Sequence, residues 1–127
     1  KRIVNMSNEN FQIFVVFEGK TYSCDVSYMT NILEFKKYLA KKFKLPYIKN
    51  MTLFPELDSP TPFYLKYLSK RVDDSKFDTI LDFNNYHKKN QIEKEATIQL
   101  MIIFSSKIWN MIQNKIIKEE EFILGNI

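Results

Sequence analysis

The chain has 127 residues, 45% of them hydrophobic and 15% aromatic, which is enough for one packed core, too short to expect two, and far from a disordered polymer. Its formal net charge of +4 favours acidic surfaces without amounting to a dedicated nucleic-acid footprint. A single cysteine excludes an internal disulfide, and no apolar run approaches the ~18 residues that suggest a membrane span.

Residues 1–10 are polar apart from Ile3, Val4 and Met6 and read as a flexible lead-in. Lys1 in place of Met reads as the start of a piece cut from a longer protein, and no signal peptide is visible. From Phe11 the runs FQIFVVF and TYSCDV alternate β-branched and aromatic residues on either side of Glu18-Gly19-Lys20, which predicts a hairpin with Gly19 in its turn. Phe11, Ile13 and Val15 take one side of the first strand; Gln12, Phe14 and Val16 take the other. Cys24 shares a side with Tyr22 and Val26 and reads as a small buried hydrophobe rather than a reactive thiol. The period then changes: Ile32, Phe35, Leu39 and Phe43 form one helical stripe, with Asn31 as N-cap and Leu45-Pro46 as the stop.

Ile48 to Phe54 reads as a short strand with Met51 and Leu53 alternating. Three prolines between Pro55 and Pro62 predict a loop, and PFYLKYL predicts a short edge strand through Phe63, Leu65 and Tyr67 or their neighbours. Ser69 to Lys76 is turn-like, and a short helical segment is expected between Lys76 and Asn90. Ala96 to Phe104 predicts the last strand, with Ile98, Leu100 and Ile102 on one side and Gln99, Met101 and Ile103 on the other. A helix capped by Ser105 is expected over about 106–120, presenting Ile108, Trp109, Met111, Ile112 and Ile116 on one broad face.

FQIFVVFEGKTYSCDV followed by NILEFKKYLAKKFKLP resembles the opening of ubiquitin, and TILDFN and EKEATIQLMII resemble its later segments in the same order. The resemblance covers roughly Phe11 to Ile103 and implies an α+β fold: a ubiquitin-like β-grasp with a mixed four- to five-stranded sheet packed on one main helix, to which this sequence adds a C-terminal helix that ubiquitin lacks. The domain is expected over 11–104, with an insertion at about 55–76 and a helical extension over 105–127. Transferred directly, the ubiquitin register puts Thr52 inward, whereas the local pattern favours Met51 and Leu53, so the face of Leu53 stays open. Lys36 falls where ubiquitin buries a lysine, which implies a packed side chain paired with Asp73, Asp74 or Asp78.

No constellation for catalysis or cofactor binding stands out. His87, the one histidine, lies in the polar stretch YHKKN, and one His with one Cys makes neither a zinc site nor a catalytic pair. Gly19 and Gly125 build no phosphate loop. The expectation is therefore no enzyme, no cofactor, no metal and no small-molecule substrate. The resemblance implies a protein-interaction module of the non-conjugated type within a larger cytoplasmic or nuclear protein, in ubiquitin-proteasome or chaperone-type pathways. A modifier processed at Gly125 is the alternative; against it, Gly125 is single and is followed by Asn126 and Ile127.

By the same resemblance the binding face is the side of the sheet opposite the helix: Phe14, Val16, Leu53 if it points outward, Gln99, Met101 and Ile103. That face is apolar enough to need either a protein partner or a cover. Trp109, Ile112 and Ile116 of the C-terminal helix are the expected cover. A second alternative is a Ras-association-type domain using Lys20, Lys37 and Lys41 toward an acidic partner. A solvated helix face is the preferred account of those lysines, and a nucleic-acid partner is disfavoured because no aromatic residues interleave with them. The sequence offers no reading of oligomeric state.

Overall fold

A computed structural model describes residues 9–55, 57–103 and 109–115. Strands β1 (Asn10–Phe17) and β2 (Lys20–Ser27) pair antiparallel from Asn10 opposite Ser27 to Phe17 opposite Lys20. Glu18 and Gly19 close the hairpin with φ of 51° and 77°, the mirror-image turn whose twist matches that of the strands. Alternation buries Ile13, Val15 and Phe17 on β1 with Cys24 and Val26 on β2.

Helix α1 (Ile32–Phe43) lies against that side. The Asn31 side chain accepts the Glu34 N–H at 2.9 Å, and Lys44, left-handed at φ 57°, ends the helix. Ile32, Phe35, Lys36, Leu39 and Ala40 turn inward. The sheet has five strands in the order β2-β1-β5-β3-β4. Here β3 is Phe63–Tyr67, β4 is Lys70–Arg71 and β5 is Thr97–Ile102. The first and last strands are parallel neighbours through Phe14–Thr97, Val15–Ile98 and Val16–Gln99, and β3 runs antiparallel to β5. Helix α2 (Ile80–Tyr86) opens with a capping box between Thr79 and Asp82, and its start is tied to that of α1 by the Ile32 N–H on the Asp78 carbonyl at 2.8 Å.

The expected α+β arrangement of a mixed sheet around one helix is therefore present, and several local expectations are corrected. Met51–Leu53 is a 3₁₀ turn rather than a strand: the Asn50 carboxamide accepts the Thr52 N–H at 3.2 Å and starts a turn that three alternating residues cannot resist. Met51 packs against Ile48 and Phe54, while Thr52 and Leu53 face solvent. Within the stretch at about 55–76, the expected strand through Phe63, Leu65 and Tyr67 is present as β3, and β4 is added to it. As a result β3 is not an edge strand along its whole length, since Lys66 and Tyr67 pair with Arg71 and Lys70.

Residues 109–115 are helical. Trp109 and Ile112 are buried, but Met111 is exposed, so the inward face of this helix is narrower than its sequence suggests. Residues 1–8, Ser105, Ile108, Ile116 and the rest of the expected extension lie outside the described residues.

Candidate functional site

Residues directly opposite one another on paired strands share a face, so the registers define the outer surface of the sheet. Phe14 and Val16 on β1 stand beside Ser23 and Thr21 on β2, and beside Thr97 and Gln99 on β5. Met101 and Gln99 stand beside Tyr64 and Lys66 on β3, and Lys66 stands beside Arg71 on β4. The apolar part of this face is Phe14 and Val16 on β1, Met101 on β5 and Tyr64 on β3, with Phe14, Val16 and Tyr64 half-buried; Thr97 and Gln99 stand between the β1 residues and β3, and Lys66 and Arg71 border the β3 side. Met101 is 38% exposed, and the Arg71 guanidinium lies 4.7 Å from the Tyr64 ring centroid, covering one flank of the apolar part.

Of the residues expected on this face, Phe14, Val16, Gln99 and Met101 are on it. Ile103 lies just past β5, exposed, with its N–H donating to the Pro62 carbonyl at 3.3 Å. Leu53 is exposed in the 3₁₀ turn and has no place in the sheet. Tyr64, Lys66 and Arg71 were not anticipated. Alternation within PFYLKYL puts Tyr64 and Lys66 opposite Phe63 and Leu65, but only the pairing with β5 shows that they border Met101.

The expected cover is placed elsewhere. Trp109 joins the main core and, with Phe17, Phe43, Leu45 and Ile102, lines a cavity of about 350 Å³ at the end near the hairpin turn. Ile112 packs with Ile48 and Phe54 in a smaller cluster, and the Lys115 ammonium lies 5.3 Å from the Phe54 ring centroid. These contacts are on the helix side of the sheet, so helical residues 109–115 extend the core and leave the outer face open. Ile116 lies outside the described residues.

Lys20, Lys37 and Lys41 are exposed. Lys37 lies 5.2 Å from the Tyr47 ring centroid, whereas Lys42 lies 5.9 Å from that of Tyr22 on β2. The helix lysine whose ammonium lies over a ring of the second strand is Lys42.

Cys24 and His87, the one cysteine and one histidine, lie apart in the fold. Cys24 is buried in the sheet core, and desolvation raises its thiol pKa, with smaller opposing effects from Lys42 and Asp25. His87 caps the C-terminal end of α2 with its ring 4.5 Å from that of Phe83. No cluster of His, Cys, Asp or Glu that could hold a metal ion occurs among the described residues, and no helix among them is long and apolar enough to cross a membrane.

A parallel pairing of the first and last strands, the order β2-β1-β5-β3-β4 and one long helix on the inner face define the ubiquitin-like β-grasp fold. Comparison with solved structures agrees: the chain is similar to the N-terminal ubiquitin-like domain in the 4931431F19Rik protein, with TM-score 0.52 and 15% identity over 80% of this chain and 82% of that one. The likeness is one of fold. No protein-family model matches the chain, and no curated protein matches it.

Proposed function

We propose that this ubiquitin-like domain is a non-catalytic docking module that binds a protein partner through the outer face of its sheet. The observation that carries this reading is the apolar part of that face, Phe14, Val16, Tyr64 and Met101, left uncovered by the described helical residues, which pack on the opposite side. Burying these residues stabilises a complex by roughly 25 cal/mol per Å² of apolar surface, before the costs of association are subtracted. Lys66 and Arg71 at one edge favour an apolar anchor flanked by acidic residues. Membership of a larger intracellular protein in ubiquitin-proteasome or chaperone-type pathways is part of the same proposal. The placement within a larger protein has a parallel in the structural neighbour, which is the N-terminal domain in its own protein.

The test is affinity capture from a native lysate with the wild-type domain and two variants, each first shown to retain its amide NMR fingerprint. Met101→Asp puts a carboxylate on the apolar part of the face and abolishes capture of the bound protein. Lys20→Glu/Lys37→Glu leaves capture unchanged. Undiminished capture by Met101→Asp rejects the docking face. Loss of capture only in the lysine variant favours the Ras-association-type reading.

A further inference from the structure

A second surface lies at the far edge of the sheet, where β4 and the loop after it meet the end of α2. Lys70, Arg71 and Lys76 converge there with His87, Phe77 and Tyr86 around a cleft of about 710 Å³. The turn leading into it is tight, with Leu68 and Ser69 both left-handed at φ of 47° and 70°, a conformation disfavoured for side chains larger than glycine. It sets Lys70 at the mouth of the cleft.

Among the described residues the three cations of this cleft face a single carboxylate, that of Asp73. The one ion pair among those residues is Lys36 with Asp74, in the interior. The Asp73 Oδ1 accepts both the Ser75 N–H at 3.0 Å and the Ser75 hydroxyl at 2.7 Å. Burial, then Lys70 and Lys76, lower the pKa of His87, as their positions around the cleft require. The opposite wall is aromatic. Tyr86 is 74% exposed, with its ring centroid 5.6 Å from that of Phe77 and 4.8 Å from that of His87.

We propose that this cleft binds a phosphotyrosyl side chain presented by a protein partner, the phosphate against Lys70, Arg71 and Lys76 and the phenyl ring against Tyr86. Three cations facing one carboxylate that already serves Ser75 suit a dianion better than a single carboxylate. An open aromatic ring beside them suits a ligand that joins charge to a π-face, and the cleft has room for a tyrosyl ring with flanking backbone. A nucleic-acid strand fits less well, because the cations gather in one recess rather than along a track with repeated stacking residues. The proposal is separate from docking on the outer face: Arg71 borders both surfaces, whereas Lys70, Lys76 and Tyr86 belong to the cleft alone.

The sole histidine makes the test direct, since its ring protons report on the cleft alone. The domain is titrated by NMR with a phosphotyrosyl peptide, its unphosphorylated form, its phosphoseryl counterpart and a single-stranded oligonucleotide. The phosphotyrosyl peptide is expected to shift the His87 resonances, raise the pKa of the imidazole and bind at least about tenfold more tightly than the other ligands. Lys70→Glu/Lys76→Glu abolishes this binding with the amide fingerprint preserved, and Tyr86→Ala reduces it to the phosphoseryl level. The proposal is overturned by an unmoved His87, by equal affinity for the unphosphorylated or phosphoseryl peptide, or by tighter binding of the oligonucleotide.

Discussion

The Lys36 ammonium on α1 donates to the Asp74 carboxylate at 2.6 Å inside the protein, with only 2% and 6% of the two side chains exposed. The Ser59 hydroxyl donates to the same oxygen at 3.1 Å, and the ammonium lies 5.6 Å from the Phe63 ring centroid. One buried cation therefore ties together the helix, the loop before β3 and the loop after β4. Burial lowers the pKa of Lys36, and the hydrogen bond and charge of Asp74 act to raise it again.

Removing one partner leaves an uncompensated charge in the core. Asp74→Ala is expected to destabilise the domain by roughly 3–5 kcal/mol in urea unfolding, and Lys36→Met by less, because methionine keeps the packing and the remaining Asp74 carboxylate still accepts the Ser59 hydroxyl and can be neutralised by a proton. The double variant Lys36→Met/Asp74→Leu recovers much of the loss. An Asp74→Ala protein as stable as wild type would show that the pair contributes nothing.

The hairpin and α1 were legible because their signals are local: period two along Ile13, Val15 and Phe17, and helical spacing from Ile32 to Phe43. The placement of Lys36 was legible only through likeness to ubiquitin, since periodicity puts it beside the apolar stripe without saying what it meets. Met51 to Leu53 misled because three alternating residues fit a strand and a 3₁₀ turn equally, and the Asn50 side chain decided between them. Lys70 and Arg71 carry no strand signal; they pair because the tight turn at Leu68 and Ser69 returns them to β3. Of the candidate docking face, the β1 and β5 residues followed from alternation. Tyr64 and Arg71 depend on register between distant strands, and the side on which Trp109 packs depends on tertiary contacts that no local pattern encodes.

Cys24 is 5% exposed, and burial raises its pKa, so its thiolate is scarce in the folded state. A thiol reagent is expected to leave the native protein unlabelled at neutral pH over a time in which the urea-unfolded chain takes up one equivalent, matching its one cysteine. Rapid native labelling would contradict the packing of β2 against α1.

Asp73 gives a pH dependence of definite sign. Burial acts to raise its pKa, but the Ser75 hydroxyl and N–H, with Arg71 and Lys36, outweigh it and hold the carboxyl below its ordinary value. The carboxylate therefore stabilises the fold above the unfolded-state pKa, and that contribution is lost as pH falls through the lower folded-state value. The stability gap between wild type and Asp73→Ala is expected to be constant near neutrality and to shrink below about pH 4. Because the residue is partly solvated, the gap is small, roughly 1 kcal/mol or less. A gap that persists unchanged into strong acid would remove the carboxylate as its source.

Trp109 and Met101 together decide which side of the sheet the C-terminal helix serves. Trp109 is 8% exposed and belongs to the main core, so Trp109→Ala is expected to cost roughly 3–5 kcal/mol, as for other large buried aromatics. Met101 is open to solvent on the other face, and Met101→Asp there is expected to cost roughly 1 kcal/mol or less. The two effects also add in the double variant, because the residues lie on opposite sides of the sheet and share no partner. Fluorescence of the sole tryptophan gives a second readout: its emission is blue-shifted in the folded protein and unaffected by Met101→Asp. If the helix lay over the outer face instead, Met101→Asp would be as damaging as Trp109→Ala and would move the emission to the red. That pair of results would leave no open face for a partner to bind.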